Sequence, residues 1–468
     1  MRKLFVIVLF IFSFPVFGQV NYTYFSRMEI EQDLDFAFEK LTSIHPIFLE
    51  KEVLTNYQNR FLVIKESLND SMTQKDVYLT LAPLFAFLND GHTGILVPTN
   101  DRSQYNKAGG KAFPFFVKIE NDSMYISFYC GNDSTLFNGG EQILEINGID
   151  VTKMVSDMQL LYGGKSITIK QKSIADKFRF LISMCYGFDE NYDLTIKNNQ
   201  HEIQKMTIPG ITSNEFRQNI KRRPKPTTKY YDLIFDKEKN TAIIKIGTFG
   251  DLKGFCSFAN SAFTEIRNNK VENLVIDVRN NGGGRSIVVD SLMNYITDKK
   301  YKQYQKIEVR ISQELKERYK ERYPERYDWI NSYAINELLV PEYDLTKPKN
   351  NSLRFQGNLF LLTNNSSYSA AATFAGLFKE LRLGTIIGEE TGGTISYFGD
   401  FWYMKTHNTG ITFYVSPKQF IQFGGTDFNR GVIPDYFVSD NNDSIMDFTY
   451  KTIEEKHRSA NTNLNSIE

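Results

Sequence analysis

Residues 364–372 constrain the fold most, because they join a buried strand to a helix through a serine-rich turn. The apolar run at 359–362 leads into this turn. Apolar residues then recur at three- and four-residue steps over 370–381, which predicts a helix with one buried face. Ser369 is thereby placed at a helix N-terminus, where unpaired N–H groups and the helix dipole favour developing negative charge. Taken alone, the stretch favours a common alternative, in which Ser369 is only the N-cap of the helix.

The N-terminus has the pattern of an export signal. Basic residues at positions 2 and 3 precede an apolar run over 4–12, and Gly18 provides a small residue for cleavage before Gln19. The apolar run is shorter than the ~20 residues that span a bilayer. We therefore predict a signal peptide over 1–18, export to the periplasm or the extracellular space, and no membrane span after cleavage. An uncleaved anchor is the alternative.

Composition limits the possible partners. The chain has 468 residues, and its 55 basic and 55 acidic side chains leave no formal net charge. This balance argues against nucleic acid or a polybasic membrane contact as a partner. The three cysteines, Cys130, Cys185 and Cys256, are too widely spaced for a metal site or a disulfide framework, so we interpret them as small buried hydrophobes.

Residues 19–108 are predicted to form a helical domain, whose first helix is stopped by Pro46. The domain ends in Asp90-Gly91-His92-Thr93, a turn that follows directly on a helix. The imidazole of His92 has little packing of its own in such a turn and is free to point at another part of the molecule. The alternative is that His92 only hydrogen-bonds the turn.

Residues 109–212 change to short alternating strands with an Asn147-Gly148 turn. The stretch 140–151 resembles the centre of PDZ domains, which add a peptide as an extra strand and capture its C-terminal carboxylate. A β-rich spacer domain is the alternative. Residues 213–230 include a basic, proline-containing run that is typical of a linker, with a nucleic-acid patch as its alternative.

Residues 231–442 alternate strand and helix, which predicts a mostly parallel sheet covered by helices, followed by a tail over 443–468. Within this region, three consecutive glycines, Gly282 to Gly284, lie between a strand and a helix. Unshielded N–H groups there suit a phosphate or an oxyanion. No Gly-Lys-Ser/Thr sequence follows, so the loop is not a phosphate-binding Walker loop. We favour an oxyanion hole over a bare tight turn.

Four motifs, in this order, resemble the C-terminal processing (tail-specific) peptidase family, which includes the tricorn core protease and the interphotoreceptor retinoid-binding protein. They are Asp90-Gly91-His92-Thr93, the run from Asp277 to Gly284, Ser367-Tyr368-Ser369-Ala370-Ala371, and Gly388-Glu389-Glu390-Thr391-x-Gly393 with the closure Gly431-Val432-Ile433-Pro434-Asp435. The resemblance covers most of the mature chain. It implies an α/β fold with a crotonase- or Clp-like core, an N-terminal helical domain and a PDZ-like domain.

The resemblance also implies roles for single residues. Ser369 corresponds to the family nucleophile, and the oxyanion donors are Gly283, Gly282 and Ala370. Thr394 stands where the Ser-Lys branch has its lysine, so the chain is closer to the tricorn-like Ser-His branch, with His92 as the base. The tricorn-like branch also has an acidic residue shortly before its closure motif, and the nearest one here is Asp427. Gly91 stands where the family has a serine. No metal or organic cofactor is implied.

These observations lead to two hypotheses. The first is a secreted serine endopeptidase that hydrolyses peptides or unfolded proteins through Ser369 and His92. The second is a non-catalytic peptide- or ligand-binding protein on the same fold, because one fold often hosts several functions. The sequence leaves the oligomeric state open.

Overall fold

The computed structural model describes residues 22–187, 190–224, 229–423, 430–439 and 442–465. The predicted signal peptide, four residues of the predicted linker (225–228) and Asp427 lie outside these ranges. Within them the chain is a mixed α/β protein with several sheets, as predicted. The boundaries proposed between the helical, β-rich and core domains stay predictions.

The N-terminal part consists mainly of helices whose starts are explained by capping residues. Ser26 and Glu29 form a capping box at the first helix, and Thr73 and Asp76 form another at the third. The first helix ends before His45, and Pro46 opens a short 3-10 turn. The elements are β1 (Tyr24–Ser26), α1 (Arg27–Ile44), α2 (Lys51–Glu66), β2 (Ser71–Thr73), α3 (Gln74–Phe87), β3 (Gly94–Ile95) and α4 (Asn100–Lys107).

The middle part is an antiparallel sheet with one long helix packed along its edge strand. The strand order is β4-β5-β6-β8-β9, with β7 paired to β6, so β4 is an edge strand. Helix α6 packs against β4. The elements are β4 (Phe115–Glu120), β5 (Ser123–Tyr129), β6 (Gln142–Ile146), β7 (Ile149–Asp150), α5 (Val151–Gln159), α6 (Ile167–Tyr186), β8 (Asn191–Lys197), β9 (Ile203–Pro209) and α7 (Ser213–Asn219).

The C-terminal part is built on a six-stranded sheet of order β10-β11-β12-β15-β16-β21, in which only the β10–β11 pair is antiparallel. The predicted mostly parallel sheet is therefore confirmed. The elements of its first half are β10 (Tyr231–Asp236), β11 (Thr241–Ile246), α8 (Leu252–Asn268), β12 (Asn273–Asp277), α9 (Ser286–Ile296), β13 (Lys306–Arg310), α10 (Gln313–Arg322), α11 (Tyr327–Asn331) and β14 (Leu338–Leu339).

Two smaller sheets complete this part, with orders β14-β13-β20-β17 and β18-β19-β3. The second of them includes β3 from the N-terminal part, so this sheet joins the N-terminal and C-terminal parts of the chain. The elements of the second half are β15 (Asn358–Thr363), α12 (Ala370–Glu380), β16 (Thr385–Gly388), β17 (Tyr397–Gly399), β18 (Trp402–Lys405), β19 (Thr412–Val415), β20 (Lys418–Ile421), β21 (Tyr436–Phe437) and α13 (Asn442–Asn465).

Strand β15, which leads to Ser369, is buried on both faces. Leu359 and Leu361 belong to the core cluster that the helices α8, α9 and α12 cover. Phe360 and Leu362 point the other way, into a cluster with Ile445 of α13. The strand therefore forms a rigid support for the turn that follows it.

One expectation is wrong. Cys256 is exposed and Cys185 is only half-buried, so of the three cysteines only Cys130 is a buried hydrophobe. The polar segment after strand β13 contains the helices α10 and α11.

Candidate active site

Ser369 lies where strand β15 has ended and helix α12 is about to begin. Its backbone has φ 51° and ψ −119°, a left-handed conformation that is strained for residues other than glycine. The side chain makes no capping hydrogen bond to the helix, so its hydroxyl does not have the N-cap role that the sequence alone favours. The hydroxyl instead lies at the helix N-terminus, beside the N–H groups of the first turn.

The turn before Ser369 is fixed to the loop that follows strand β12. The fully buried Ser367 donates its hydroxyl to the carbonyl of Val278 (2.9 Å). Tyr368 donates its N–H to the carbonyl of Asn281 (2.9 Å). Ser367 therefore has a structural role, and the two bonds hold Ser369 next to the glycine loop.

The glycine loop approaches Ser369 closely at Gly283, which has φ 97°. A Cβ atom at Gly283 would lie 2.7 Å from the Cβ of Ser369, so only glycine fits there. The N–H of Gly283 is donated to Oδ1 of Asn281 (2.8 Å). Gly282 is exposed, and Ala370 opens helix α12, so its N–H has no acceptor within that helix. The structure thus brings all three predicted oxyanion residues to Ser369 or to the loop beside it.

His92 reaches Ser369 from a distant part of the chain. Strand β3, two residues later, pairs with β19 through Tyr414 and Phe413, and this pairing places the turn against the core. Nε2 of His92 lies 3.3 Å from Oγ of Ser369. The turn itself is closed by the backbone N–H of His92, which donates to Oδ1 of Asp90 (2.9 Å). The imidazole is therefore directed at the serine rather than used in the turn.

Two tyrosine rings hold the imidazole between them. The ring of His92 stacks on Tyr368 at 5.2 Å and on Tyr397 at 5.4 Å between centroids. Burial lowers the pKa of His92 below its ordinary value, and the nearby charge of Asp90 offsets only part of this effect. The imidazole is thus neutral at neutral pH, the state in which Nε2 can accept a proton.

Asp90 is a site residue that the sequence analysis did not single out. Its Oδ1 lies 3.9 Å from Nδ1 of His92, and this ring nitrogen is buried without a hydrogen-bond partner among the described residues. Asp90 belongs to the same Asp-Gly-His-Thr motif, so its position two residues before the candidate base was the available signal. Asp427, the predicted acidic partner, lies outside the described residues.

Thr394 stands at the position of the lysine in the Ser-Lys branch. Its hydroxyl donates to the carbonyl of Ser396 (2.8 Å), and its backbone bridges to Gly431. Thr394 therefore ties two loops together and supplies no base.

A cavity of about 330 Å³ lies beside His92 and Tyr368. Its walls come from the N-terminal helices, the middle part and the core, and they combine aromatic rings with the acidic side chains of Glu50 and Asp90 and the basic side chain of Lys165. Prominent wall residues are Ile47, Glu50, Lys165, Tyr368, Tyr397 and Phe398.

The described residues were also considered as metal ligands and as membrane-spanning helices, and they fit neither role. No group of three or more histidine, cysteine or acidic side chains there is arranged to hold a metal ion. None of the helices in the described ranges has the length and apolar character that a membrane crossing requires.

Solved structures establish the fold class. Mature CPAF, in its complex with lactacystin, is 15% identical and superposes with a TM-score of 0.64, over 94% of this chain and 99% of the other. A putative peptidase from Parabacteroides merdae is 14% identical and superposes with a TM-score of 0.51, over 92% of this chain and 97% of the other. At these identities the likeness concerns the fold alone, and one of the two folds is that of a putative peptidase.

Sequence comparison shows which proteins parts of the chain resemble. Residues 240–438 match the profile of peptidase family S41. The tail-specific protease of Haemophilus influenzae is 29% identical over 168 residues, which are 34% of this chain and 19% of that protease. The match thus spans about a fifth of the relative's length. Over residues 240–438 the chain is thus similar to peptidase family S41, and part of it is similar to a tail-specific protease, which agrees with the resemblance seen in the motifs.

Proposed function

We propose that the chain is an exported serine peptidase of the C-terminal processing type, with Ser369 as nucleophile and His92 as general base. The observation that carries this proposal is the 3.3 Å contact between Nε2 of His92 and Oγ of Ser369. A hydroxyl and a neutral imidazole within hydrogen-bond reach, at a helix N-terminus, form the arrangement that acyl transfer requires.

In the proposed reaction, Oγ of Ser369 attacks the carbonyl carbon of a peptide bond and its proton moves to Nε2 of His92. The carbonyl oxygen becomes an oxyanion near the N–H groups of Ala370 and the glycine loop. His92 then gives the proton to the leaving amine, and water releases the acyl group by the same route. The N–H of Gly283 can join the oxyanion hole only after leaving Asn281, to which it donates.

The proposed base places the chain in the Ser-His branch of the family. Thr394 cannot accept the proton, and its hydroxyl is bonded to a backbone carbonyl. Asp427 stays a predicted acidic partner. We further propose a crotonase- or Clp-like core, a PDZ-like middle domain and export after cleavage before Gln19, on the sequence features given above.

A groove in the middle part supports peptides with a free C-terminus as the substrate class. The outer edge of β4 has no paired strand within the described residues. Two cavities, of about 400 and 620 Å³, follow this edge and share Asp176. One includes Arg102 and Arg179, and the other extends to residues 364–366, just before Ser369. A peptide added to β4 as a strand would thus run from the arginines toward the nucleophile.

The two arginines are suited to a carboxylate. Arg102 donates to the carbonyl of Arg179 (2.5 Å), so the two cations lie close together. Burial and the positive charge of Arg102 lower the pKa of Arg179 to about 10. Asp176 on the same wall is exposed. An anionic end group would relieve the repulsion between the guanidinium groups, and arginine binds carboxylates well.

Fluorophosphonate labelling tests the proposed catalysis against the non-catalytic alternative. The mature chain should be labelled on Ser369, Ser369→Ala should not be labelled, and Ser366→Ala should be labelled like the wild type. The hydroxyl of Ser369 makes no capping hydrogen bond to the helix, so Ser369→Ala should still fold. An unlabelled wild type would favour the binding protein.

Peptide hydrolysis tests the substrate class. The wild type should cleave a long unstructured peptide with a free C-terminus faster than the same peptide with an amidated C-terminus. Arg102→Gln should remove this preference and leave hydrolysis of a short activated ester unchanged. Arg267→Gln, a change on the exposed face of α8, is the matched control. Equal losses on the peptide and the ester would contradict a recognition role.

A further inference from the structure

We propose that Asp90 is the carboxylate that orients His92, and that His45 is a positioning residue that holds Asp90; this rests on the proposed Ser369–His92 chemistry. The four side chains form a series. Nε2 of His45 lies 3.4 Å from Oδ2 of Asp90, and Oδ1 of Asp90 lies 3.9 Å from Nδ1 of His92. Nε2 of His92 then lies 3.3 Å from Oγ of Ser369.

The surroundings of His45 define which of its nitrogens carries the proton. The side chain is completely buried. Its Nδ1 accepts the N–H of Ile47 (3.2 Å) at the start of the 3-10 turn. In the neutral ring the proton is therefore on Nε2, which faces Asp90. His45 thus acts as a hydrogen-bond donor to the carboxylate.

The carboxylate of Asp90 is held by donors from three separate segments. Oδ2 accepts from His45 and from the hydroxyl of Ser416 (2.9 Å), and Oδ1 accepts the N–H of His92 (2.9 Å). Burial alone would raise the pKa of Asp90. The hydrogen bond from His45 and the charges of His45 and His92 outweigh burial, so this pKa lies below its ordinary value. Asp90 is therefore an ionised, oriented carboxylate.

His92 has one unsatisfied atom, and it faces Asp90. When Nε2 accepts from Ser369, the proton of the neutral ring is on Nδ1. This Nδ1 is buried without a partner in the described part of the chain, and a buried unpaired donor is costly. A shift of about 1 Å would bring it within hydrogen-bond distance of Asp90. As His92 takes the serine proton, the carboxylate would stabilise the imidazolium and keep its own charge.

The other titratable groups nearby are tyrosines and two side chains of the cavity wall. Tyr368 and Tyr397 stack on His92. Tyr414, from strand β19, interacts electrostatically with Asp90. Glu50 and Lys165 line the cavity beside His92. Among the described residues, Asp90 is the carboxylate that lies within 4 Å of a ring nitrogen of His92.

The test is the rate of fluorophosphonate acylation of Ser369 as a function of pH. Asp90→Asn should slow acylation by about a thousandfold to ten-thousandfold, the upper figure being the loss in triads whose carboxylate is replaced by an amide. It should also move the acid limb of the profile to lower pH, because the charge that favours protonated His92 is gone. Because Asp427 is the alternative acidic partner, the inference requires that Asp90→Asn slows acylation more than Asp427→Asn does.

Two variants of His45 separate positioning from packing. His45→Gln retains an N–H donor near the place of Nε2 and should stay within about threefold of the wild type. His45→Leu fills similar space without a donor and should lose about tenfold, with the acid limb displaced. His201→Asn, at an exposed turn, is the control. Circular dichroism and thermal unfolding verify that each variant is folded.

The outcomes separate this inference from the proposed function. If the wild type is labelled and Asp90→Asn reacts at the same rate with the same pH profile, the inference is wrong and the Ser369 nucleophile stands. A thousandfold loss in Asp427→Asn instead would also overturn it. If His45→Leu does not fold, the other two variants still test the inference. A rate for His45→Gln close to that of the wild type, together with a slowed and shifted profile for Asp90→Asn, supports it. A wild type that is never labelled refutes the proposed function itself.

Discussion

Replacing Gly91 with alanine should disable the candidate active site. An added Cβ would lie 2.0 Å from the hydroxyl oxygen of Tyr368 and 3.2 Å from its Cζ, well inside contact distance. Tyr368 precedes Ser369 and stacks on His92 at 5.2 Å. The tyrosine therefore cannot withdraw without disturbing both reacting groups. The same contact shows why glycine fits at position 91, because Tyr368 already occupies the space of a side chain.

The magnitude follows from the size of the clash. Overpacking a filled site costs about 1–3 kcal/mol of stability, and a displacement of ~1 Å at a reacting group costs about a hundredfold in rate. Tyr368→Phe removes the atom at 2.0 Å and leaves the nearest one at 3.2 Å. The double variant Gly91→Ala/Tyr368→Phe should therefore recover most of the loss, with a coupling energy of about 1–2 kcal/mol.

The assay is a double-mutant cycle on four proteins, with the fluorophosphonate acylation rate and the midpoint of thermal unfolding measured for each. Tyr368→Phe alone should be mild in both, because ring stacking is retained. The reasoning is refuted if Gly91→Ala reacts like the wild type, or if the double variant is no better than Gly91→Ala.

Three further predictions concern the same chain. Gly283→Ala should slow acylation at least a hundredfold, because φ is 97° and the new Cβ would lie 2.7 Å from the Cβ of Ser369. In Gly282→Ala the new Cβ meets no atom within 4 Å, so this variant should lose less activity. Equal losses in the two variants would contradict the loop geometry. Acylation should fall as the pH drops below about 6.5, the ordinary pKa of an imidazole, because burial lowers the pKa of His92 and only the neutral ring accepts a proton. An acid limb of the rate profile centred above pH 7 would point to another base. N-terminal sequencing of the exported protein should begin at Gln19, and an intact Met1 would contradict export by cleavage.

Local signals were sufficient for many of the elements. Strand Gln142–Ile146 and helix Ser286–Ile296 are bounded by turns that the sequence shows, because an Asn-Gly turn closes the first and the glycine loop precedes the second. Helix α10 was missed for a physical reason. Its buried side includes Lys316, whose ammonium group donates to the carbonyls of Asn331 and Tyr333. The apolar residues of α10 are Leu315 and Tyr319 alone, too few for an apolar periodicity that predicts a helix.

The residues of the candidate site were visible in the sequence, but not their arrangement. The meeting of His92 with Ser369 depends on the pairing of β3 with β19, whose residues Ile95 and Phe413 lie far apart in the chain. The place of His45 beside Asp90 depends on how α1 ends against the turn, and no local pattern encodes it. The family resemblance predicted the nucleophile and the base, whereas the series His45, Asp90 and His92 is visible only in the three-dimensional structure.

The strained backbone conformation of Ser369 is stabilised by the packing and hydrogen bonds of the residues before it. A left-handed conformation at a residue such as Ser369 costs on the order of 1–3 kcal/mol. Burial of a large apolar side chain contributes about 1.5–3 kcal/mol, and β15 buries such side chains on both faces, with Leu361 on one side and Phe360 on the other. The bond from Ser367 to Val278 then anchors the turn to the neighbouring strand's loop. The conformation that exposes the hydroxyl is thus maintained by the packing of the sheet, and the reacting groups themselves remain free to bind substrate.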